Sequence, residues 1–321
     1  MRRVALIYNP ASGQPTGRRT AQIADVVAVL RGAGVDVKVI ETESSASAGA
    51  QAQEAVSDGC DTILACGGDG TVHEVMQGLV GGSAALGVIP MGTANALAAD
   101  LGVPASGKKA AKVLLDASPV RISVGHLFYR DDEGDPRSRY FVVAAGVGVD
   151  AHFFSRLDSR MKQRFGYAAY LVAAFRMWAV HDFPLFSATL IDSGSDAARS
   201  REMSQLLAIR ISDFGGVVSK LAPGASIQNE TLSVIGFNTR SRLRYLRFML
   251  GVIFRRHTFS SVIEASDCRS VECSDLEGAA APTFVEADGE LLGRLPARIE
   301  VVPQALTLLI PQKTLSRIAR R

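Results

Sequence analysis

Gly67-Gly68-Asp69-Gly70-Thr71 follows the apolar run 63–65 and precedes a stretch with helical hydrophobic spacing. The glycines let backbone N–H groups approach a ligand closely, and a helix starting here would direct its positive end at a phosphate. Asp69 supplies a carboxylate for a metal ion. Thr71 and Glu74 match the capping-box pattern, which predicts the helix start independently of any ligand. A tight turn that binds nothing is the alternative, because such turns need glycine for their own geometry. The buried face of the helix would consist of Val72, Val75, Met76, Leu79 and Val80.

Two further polar turns also follow short apolar strands. Asn9-Pro10-Ala11-Ser12-Gly13 comes after residues 4–8, and Pro90-Met91-Gly92-Thr93-Ala94-Asn95 comes after residues 86–89. Ligands of an open parallel sheet bind outside the carboxyl ends of its strands, so the three turns are expected to meet at one crevice. No segment matches GxxxxGK[ST], and a P-loop lysine is therefore not expected in this site.

Length and composition indicate a protein with more than one domain. The 321 residues exceed the usual size of one compact domain, and a hydrophobic content of 47% can supply more than one core. The formal net charge of +3 is too small to indicate nucleic-acid binding. No apolar segment with a cleavage site follows the first residues, so no signal peptide is expected. A cytoplasmic protein is expected instead.

The four cysteines show neither a CxxC pair nor a neighbouring histidine at the spacing of zinc sites. Buried, unreactive thiols are therefore expected rather than a metal site. The residues concerned are Cys60, Cys66, Cys268 and Cys273.

The hydrophobic pattern changes near Pro119. Residues 1–119 alternate short apolar strands with helical patterns, which predicts an α/β domain with a parallel sheet and flanking helices. The rest, residues 120–303, predicts mainly antiparallel β-structure. One hairpin would pair residues 122–129 with 140–145, and another would pair 186–191 with 206–211 through the polar segment 192–202. Further strands are expected at 232–237, 298–302 and 305–310, and a short helix at 313–321.

Gly146-Val147-Gly148-Val149-Asp150-Ala151 resembles the GxGxxA dinucleotide fingerprint. No clear βαβ unit surrounds it, and the preceding strand would pair with an antiparallel neighbour. A tight turn is therefore expected here instead of a dinucleotide site.

The motifs NPxSG, GGDGT with a downstream Glu, and PxGTxN resemble, in this order and spacing, those of the diacylglycerol kinase catalytic family. That family includes bacterial lipid kinases and sphingosine kinases. Asp288-Gly289-Glu290 matches the family's late DGE element, so the resemblance covers nearly the whole chain. It implies an N-terminal α/β domain of the NAD kinase and phosphofructokinase type, completed by residues 304–321, and a mainly antiparallel β-sandwich C-terminal domain. GGDGT alone is shared with NAD kinases, whereas PxGTxN and DGE favour lipids.

The resemblance also implies roles for individual residues. ATP would be the phosphate donor, Asp69 and Asp288 would bind the catalytic Mg²⁺, and Glu290 would be the base that accepts the hydroxyl proton. An exposed turn is the alternative reading of residues 288–290 taken alone. The residues implied to contact ATP are Asn9, Pro10, Ala11, Ser12, Gly13, Thr42, Gly67, Gly68, Asp69, Gly70, Thr71, Val72, His73, Glu74, Thr93 and Asn95.

One segment departs from the family pattern. Residues 223–232 align with a segment whose Asp-Gly helps to hold a second, structural Mg²⁺, but Asn229-Glu230 stands there in this chain. An amide is a neutral, weaker ligand than a carboxylate. Two outcomes are open: the second Mg²⁺ site is lost, or Glu230 substitutes for the missing carboxylate. The metal positions in doubt are Ser226, Asn229 and Thr231.

Residues 240–256 mix arginine with apolar side chains on an expected helix. Such a helix could lie on the anionic inner face of a membrane with Phe248, Leu250 and Ile253 inward, and a core-packed helix with a solvated basic face is the alternative. The apolar stretch 167–180 is too short to span a bilayer. Peripheral membrane contact, a lipid substrate and no nucleic acid are therefore expected, and a homodimer is compatible with the sequence.

The sequence thus predicts an ATP-dependent lipid kinase that phosphorylates a hydroxyl of diacylglycerol or a related lipid, with a sphingoid base as a further candidate. The reaction would take place in the cleft between the two domains. NAD kinase is the first alternative. A non-catalytic lipid-binding relative is the second, and it is motivated by Asn229-Glu230.

Overall fold

The computed structural model describes residues 1–10, 16–44, 46–149, 183–192, 198–214, 221–222, 224–253, 263–279 and 281–318. Two compact units divide the chain. The first unit contains Met1–Ile122 and Gln304–Arg321, and the second contains Ser123–Pro303. Among the described residues, no helix is long and apolar enough to cross a membrane.

The first unit is an α/β structure built on parallel strands. Its strands are β1 (Arg3–Tyr8), β2 (Asp36–Glu41), β3 (Thr62–Gly67) and β4 (Ala85–Pro90), and its helices are α1 (Thr16–Gly32), α2 (Ala48–Ser57), α3 (Asp69–Gln77), α4 (Ala96–Asp100) and α5 (Gly107–Leu115). The sheet order is β2-β1-β3-β4, and the end of β14 (Glu290–Ile310) pairs with β4 in parallel. The last helix, α7 (Gln312–Ile318), follows β14.

Burial explains why these segments form strands. Every residue of β3 and β4 is buried, as expected for central parallel strands covered on both faces by helices. The helices pack as two pairs, α1 with α5 and α2 with α3. In α3, the expected apolar face is confirmed at Val72, Val75 and Met76, each of which is at most 4% exposed. Leu79 and Val80, which were expected on the same face, follow the end of the helix; Leu79 is buried and Val80 is half-buried.

The second unit is mainly antiparallel. Its strands are β5 (Ser118–Arg130), β6 (Pro136–Phe141), β7 (Ala144–Gly148), β8 (Phe186–Asp192), β9 (Ala198–Met203), β10 (Gln205–Ile209), β11 (Leu232–Phe237), β12 (Ile263–Asp275) and β13 (Phe284–Ala287), and α6 (Arg242–Ile253) is its described helix. Antiparallel pairings run from β14 through β13, β7, β10, β11 and β12 and return to β14. The strands therefore close a hydrogen-bonded circuit, whose core includes Leu127, Phe141, Val147, Leu206, Val285 and Ile299.

The first predicted hairpin is confirmed, and the second is wrong. Strands β5 and β6 pair antiparallel around the polar turn, as expected. Strand β8 pairs instead with β9, which was expected to be part of a loop, and with β12. The sequence pattern concealed β9 because it is an edge strand whose Arg201 and Glu202 are exposed, so it lacks apolar alternation.

Three other expectations about the second unit need correction. Residues 140–145 do not form one strand, because the chain bends at Val142 and Val143 between β6 and β7. Gly146 to Gly148 lie in β7 and not in a tight turn, and β7 has antiparallel partners on both sides. A dinucleotide fingerprint requires a parallel βαβ unit, so that alternative is not supported. Strand β14 is continuous where two strands were expected, with Gln304 at a positive φ of 50° near its middle.

Candidate functional site

The carboxyl ends of β1, β3 and β4 lie side by side, because these strands are adjacent and parallel. The three polar turns singled out in the sequence therefore start at one edge of the first unit's sheet. Asn9 and Pro10 are half-buried there. Ala11, Ser12 and Gly13 lie outside the described residues.

Asp69 joins the second turn to the third. Its Oδ2 accepts a hydrogen bond from the backbone N–H of Asn95 at 2.8 Å, and its Oδ1 accepts one from Ala96 at 2.7 Å. These N–H groups belong to the N-terminus of α4, whose first amides have no partner within the helix. The carboxylate thus satisfies two such amides and complements the positive end of that helix.

Asn95 is held in a conformation that few side chains tolerate. Its φ of 51° lies in the left-handed region, where Asn is enriched over other non-glycine residues. Its Oδ1 accepts a hydrogen bond from Gly92 N at 2.9 Å, and its Nδ2 donates to Gly92 O at 2.7 Å. The third turn is therefore closed by the Asn95 side chain, while Thr93 at its tip is exposed.

The second and third turns also touch through their glycines. A Cβ added to Gly92 would lie 2.5 Å from the Cα of Gly68 and 2.9 Å from Asn95 Oδ1. Sterically, only glycine permits this approach, because real Cβ atoms do not come so close to backbone. In addition, Met91 N donates to Gly67 O at 2.8 Å. The two turns therefore form one connected surface.

The start of α3 differs from the capping-box prediction. The helix begins at Asp69 with Gly68 as its N-cap, and no side chain caps it. Thr71 lies inside the first turn, so the predicted capping box is wrong. The side chains of Thr71, Val72, His73 and Glu74 are buried, each at most 8% exposed. At this helix start, the half-buried part of the motif is Gly68, Asp69 and Gly70.

Thr42 follows β2 at the same edge of the sheet. Its backbone N–H donates to Tyr8 O at 2.9 Å, but its buried hydroxyl has no hydrogen-bond partner within the described part of the chain. The neighbouring Tyr8 hydroxyl donates to Glu41 Oε2 at 2.8 Å, and this bond raises the pKa of Tyr8. Because buried hydroxyls normally find a partner, Thr42 is a position where a bound ligand could supply one.

Asp288-Gly289 forms the hairpin turn between β13 and β14. Both residues have positive φ, 49° and 83°, as in the type I′ turn that favours Asp-Gly. The Asp288 carboxylate accepts hydrogen bonds from the backbone N–H groups of Val142, Val143 and Ala144 at 2.9 to 3.1 Å. It thereby stabilises the bend that interrupts β6 and β7.

Glu290 is the first residue of β14 and pairs across the turn with Ala287. The turn is further fixed by buried Glu286, whose Oε2 accepts a hydrogen bond from Gly289 N at 2.9 Å. Asp288, Gly289 and Glu290 are half-buried. The segment is therefore a turn, but it is not the exposed turn that was considered as the alternative from the sequence. The carboxylate of Glu290 therefore extends from a backbone held on both sides.

The three positions considered for a second metal ion engage in protein contacts. Asn229 Nδ2 donates to Gly224 O at 3.3 Å, and the Ser226 hydroxyl accepts a hydrogen bond from Gln228 N at 3.3 Å. The carbonyl of Thr231 accepts one from Arg210 at 2.5 Å. Across the described ranges, no three Asp, Glu, His or Cys side chains are grouped as a metal site would require.

Helix α6 presents arginines to solvent. Arg242, Arg244 and Arg247 are exposed, as is Leu243 at 73% of its surface. Tyr245 is buried and its ring lies 4.8 Å from the rings of Phe183 and Phe237. The side chains of Phe248, Leu250 and Ile253, which were expected to face inward, lie outside the description, as do Arg255 and Arg256.

All four cysteines are free and buried, as expected. Burial raises the pKa of Cys66 well above its usual range and that of Cys273 to about 12. Thiols with such pKa values are poor nucleophiles and poor metal ligands.

Two residues of the site were not singled out in the sequence as contributors. Gly92 shapes the third turn, and the only sequence signal was its place in PxGTxN. Ala96 contributes its backbone N–H to Asp69, which no side-chain pattern could have revealed.

Comparisons with known proteins cover nearly the whole chain. Residues 3–127 match the diacylglycerol kinase catalytic domain, and residues 142–310 match the YegS C-terminal NAD kinase beta sandwich-like domain. A diacylglycerol kinase of Mycobacterium tuberculosis H37Rv is 28% identical over 318 residues, which cover 97% of this chain and 96% of that protein. One from Staphylococcus saprophyticus is 26% identical over 313 residues, with 97% and 96% covered.

Solved structures show that the fold is shared. A diacylglycerol kinase structure from Bacillus anthracis superimposes with a TM-score of 0.70 at 19% identity and covers 98% of both chains. Yeast NADH kinase in complex with NADH gives a TM-score of 0.56 at 10% identity, over 100% of this chain and 87% of that one.

Proposed function

Because the chain belongs to the diacylglycerol kinase family and is a lipid kinase, we propose that it transfers the γ-phosphate of ATP to a hydroxyl of diacylglycerol or a related lipid. The observation that carries this proposal is the Asp69 carboxylate, which connects the GGDGT turn to the third turn through Asn95 and Ala96. Phosphoryl transfer depends mostly on holding phosphates in place, and a connected pair of glycine-containing turns suits that task.

The first unit would bind the nucleotide. Backbone N–H groups of the GGDGT turn and the positive end of α3 favour phosphate, and the approach of Gly68 to Gly92 leaves backbone rather than side chains at the surface. The Thr42 hydroxyl, which has no hydrogen-bond partner among the described residues, supports a further polar contact with ATP. Residues 1–119 with 304–321 are thus proposed as the ATP-binding domain.

Asp69 would hold the Mg²⁺ that accompanies the nucleotide, and this ion would neutralise charge on the phosphate oxygens. Asp69 supplies the carboxylate oxygens that Mg²⁺ prefers, and its backbone bonds to Asn95 and Ala96 hold them at the two connected turns. Asp288 accepts three backbone hydrogen bonds. It is therefore better suited to orienting the DGE turn than to binding the Mg²⁺ directly.

Glu290 would act as the general base. Its carboxylate accepts the proton of the lipid hydroxyl while the hydroxyl oxygen forms a bond to the γ-phosphorus and the bond between that phosphorus and the β–γ bridging oxygen breaks, releasing ADP. The type I′ turn and the hydrogen bonds to its carboxylate fix Asp288, which stands two positions before Glu290. The backbone that carries the proposed base is therefore held in place. Residues 120–303 are proposed as the lipid-substrate domain.

Helix α6 would bring the enzyme to its insoluble substrate. Exposed Leu243 lies between exposed Arg242 and Arg244, and Tyr245 anchors the opposite face against Phe237. Arginines attract anionic lipid phosphates, and an exposed leucine adds apolar contact at the interface. This arrangement supports peripheral contact with an anionic membrane surface.

The test is transfer of labelled γ-phosphate from ATP, with Mg²⁺, into mixed micelles that contain diacylglycerol, monoacylglycerol or sphingosine. A parallel reaction contains NAD, because the fold is shared with an NADH kinase. Label in diacylglycerol supports the proposal. Label in NAD alone contradicts it, and lipid binding without any transfer would indicate a non-catalytic relative.

A further inference from the structure

Arg210 is an arginine buried in the second unit, and no carboxylate of the described residues pairs with it. It is 1% exposed and belongs to the largest fully buried side chains of the described chain. No salt bridge with it forms among the described residues, and burial alone lowers its pKa to about 10. Arginine remains protonated at neutral pH even so, which makes the side chain an internal cation.

Backbone carbonyls surround this cation. Nη1 donates to Thr231 O at 2.5 Å, and Nη2 donates to Ile227 O at 3.2 Å and to Ser123 O at 3.0 Å. Isolated buried charges are costly unless hydrogen bonds compensate for the lost water. The negative ends of three carbonyl dipoles provide this compensation at Nη1 and Nη2, while the buried Nε has no hydrogen-bond partner among the described residues. The guanidinium thereby ties the segment before β11 to β5.

A set of backbone oxygens around one point is also the donor type that Mg²⁺ and Ca²⁺ prefer. The sequence resemblance placed a second, structural ion in this segment. Here Ile227 O and Thr231 O are engaged by Arg210, and Asn229 donates its amide N–H to Gly224 O, which a carboxylate could not do. A divalent ion beside a buried guanidinium would experience strong repulsion between like charges.

We propose that the guanidinium of Arg210 takes the place of a structural divalent ion in the second unit, so that residues 224–231 need no metal to hold their conformation. Arg210 and Asn229 stabilise the two ends of this segment. The guanidinium donates to the Thr231 carbonyl at its end, and the Asn229 amide donates to the Gly224 carbonyl at its beginning. Divalent ions would then be required only with the nucleotide.

The first test counts metal in the nucleotide-free protein. After gel filtration without added metal, elemental analysis is expected to find no stoichiometric Mg²⁺ or Ca²⁺, and the Tm in chelator is expected to equal the Tm in Mg²⁺. Both measurements are repeated with Asp69→Asn, which removes the proposed site of the nucleotide-associated ion. One tightly bound ion per chain, or a Mg²⁺-dependent rise in Tm, that persists in Asp69→Asn would overturn the proposal.

The second test removes the cation. Arg210→Met keeps an unbranched apolar stem as far as the position of Nε but removes the rest of the guanidinium, which leaves the three carbonyls without this donor. We expect its Tm to fall by about 6 °C or more. Arg130→Met is the matched control, because exposed Arg130 also donates to a carbonyl, Gly134 O, and its loss should lower Tm by less than about 2 °C.

Arg210→Lys separates charge from shape. It keeps the cation but lacks the planar fork of donors, so its Tm should lie between those of the native protein and Arg210→Met. Equal Tm values for Arg210→Met and Arg130→Met would overturn the proposal. None of these readouts uses kinase activity, and the result is therefore independent of which lipid is phosphorylated.

Discussion

The backbone N–H of Ala96 donates a hydrogen bond to the Asp69 carboxylate at 2.7 Å, across 27 positions of the sequence. This contact attaches the start of α4 to the start of α3. The two turns that are proposed to hold the phosphates are therefore fixed to each other before any nucleotide binds.

Asp69→Asn is expected to impair both stability and turnover. The Asn amide places an N–H group against one of the two backbone donors, so the free energy of unfolding should fall by about 1.5 to 3 kcal/mol. Turnover should fall by about 100-fold or more, since the phosphate-binding turns lose their connection. Urea denaturation and labelled-phosphate transfer measure the two effects.

The control for Asp69→Asn is Asp61→Asn. Asp61 also accepts backbone hydrogen bonds, from Arg2 at 2.8 Å and Arg3 at 3.4 Å, but it lies at the amino end of β3, away from the turns. Its replacement should lower stability and leave turnover within about twofold. Native stability in Asp69→Asn would show that the contact with Ala96 contributes nothing.

Gly92→Ala is expected to separate the second and third turns. The new Cβ would lie 2.5 Å from the Cα of Gly68, and backbone must move to relieve that contact. The affinity for ATP, measured by calorimetry, should fall about tenfold or more. Gly32→Ala is the control, because a Cβ there meets nothing within 4 Å, and its ATP affinity should be unchanged.

His126 should make stability depend on pH. Burial lowers its pKa, against the opposing effect of Glu300. The unfolded chain, with a His pKa of about 6.5, then binds a proton more readily than the folded chain, so this contribution is present above about pH 6.5 and is lost as pH falls below it.

His126→Phe tests this contribution. It keeps an aromatic ring beside Tyr140, 4.2 Å away in the native protein, but cannot titrate. The free energy of unfolding of the variant should fall less steeply between about pH 6.5 and pH 5 than that of the native protein. An identical slope for both proteins would assign the dependence to other groups.

Leu243→Glu is expected to weaken binding to anionic vesicles. It replaces an exposed leucine, 73% accessible, by a charge of the same sign as the lipids. Co-sedimentation with phosphatidylglycerol vesicles should show at least about fivefold weaker association. Val39→Glu, at an exposed position of β2, is the control and should bind as the native protein does, whereas equal loss in both would remove α6 from membrane contact.

Local patterns in the sequence were sufficient for several parts of the molecule. The strand, turn and helix around residues 62–77 are consecutive in the chain, and glycines with a periodic apolar face indicated all three. Strand β11 was also predicted with its observed ends, because it too is a continuous local segment of the chain. The first unit's parallel pairing agrees with the alternation of strands and helices that the sequence showed.

Contacts between distant residues could not be predicted in this way. Asp288 binds backbone groups 144 to 146 positions away, and those groups carry no side-chain signature. Arg210 was overlooked because arginine is rarely buried, and its carbonyl partners are likewise invisible in sequence. The polar edge strand β9 lacked apolar alternation.

The central claim is most directly tested by the initial rate of phosphate transfer from ATP to diacylglycerol in mixed micelles, measured for the native chain beside Glu290→Gln. The native chain should label the lipid. Glu290→Gln should be slower by about 100-fold or more, with unchanged affinity for ATP, because the base acts on the acceptor hydroxyl. No label in the lipid from the native chain, or equal rates for both proteins, would contradict the proposed reaction or the role of Glu290 in it.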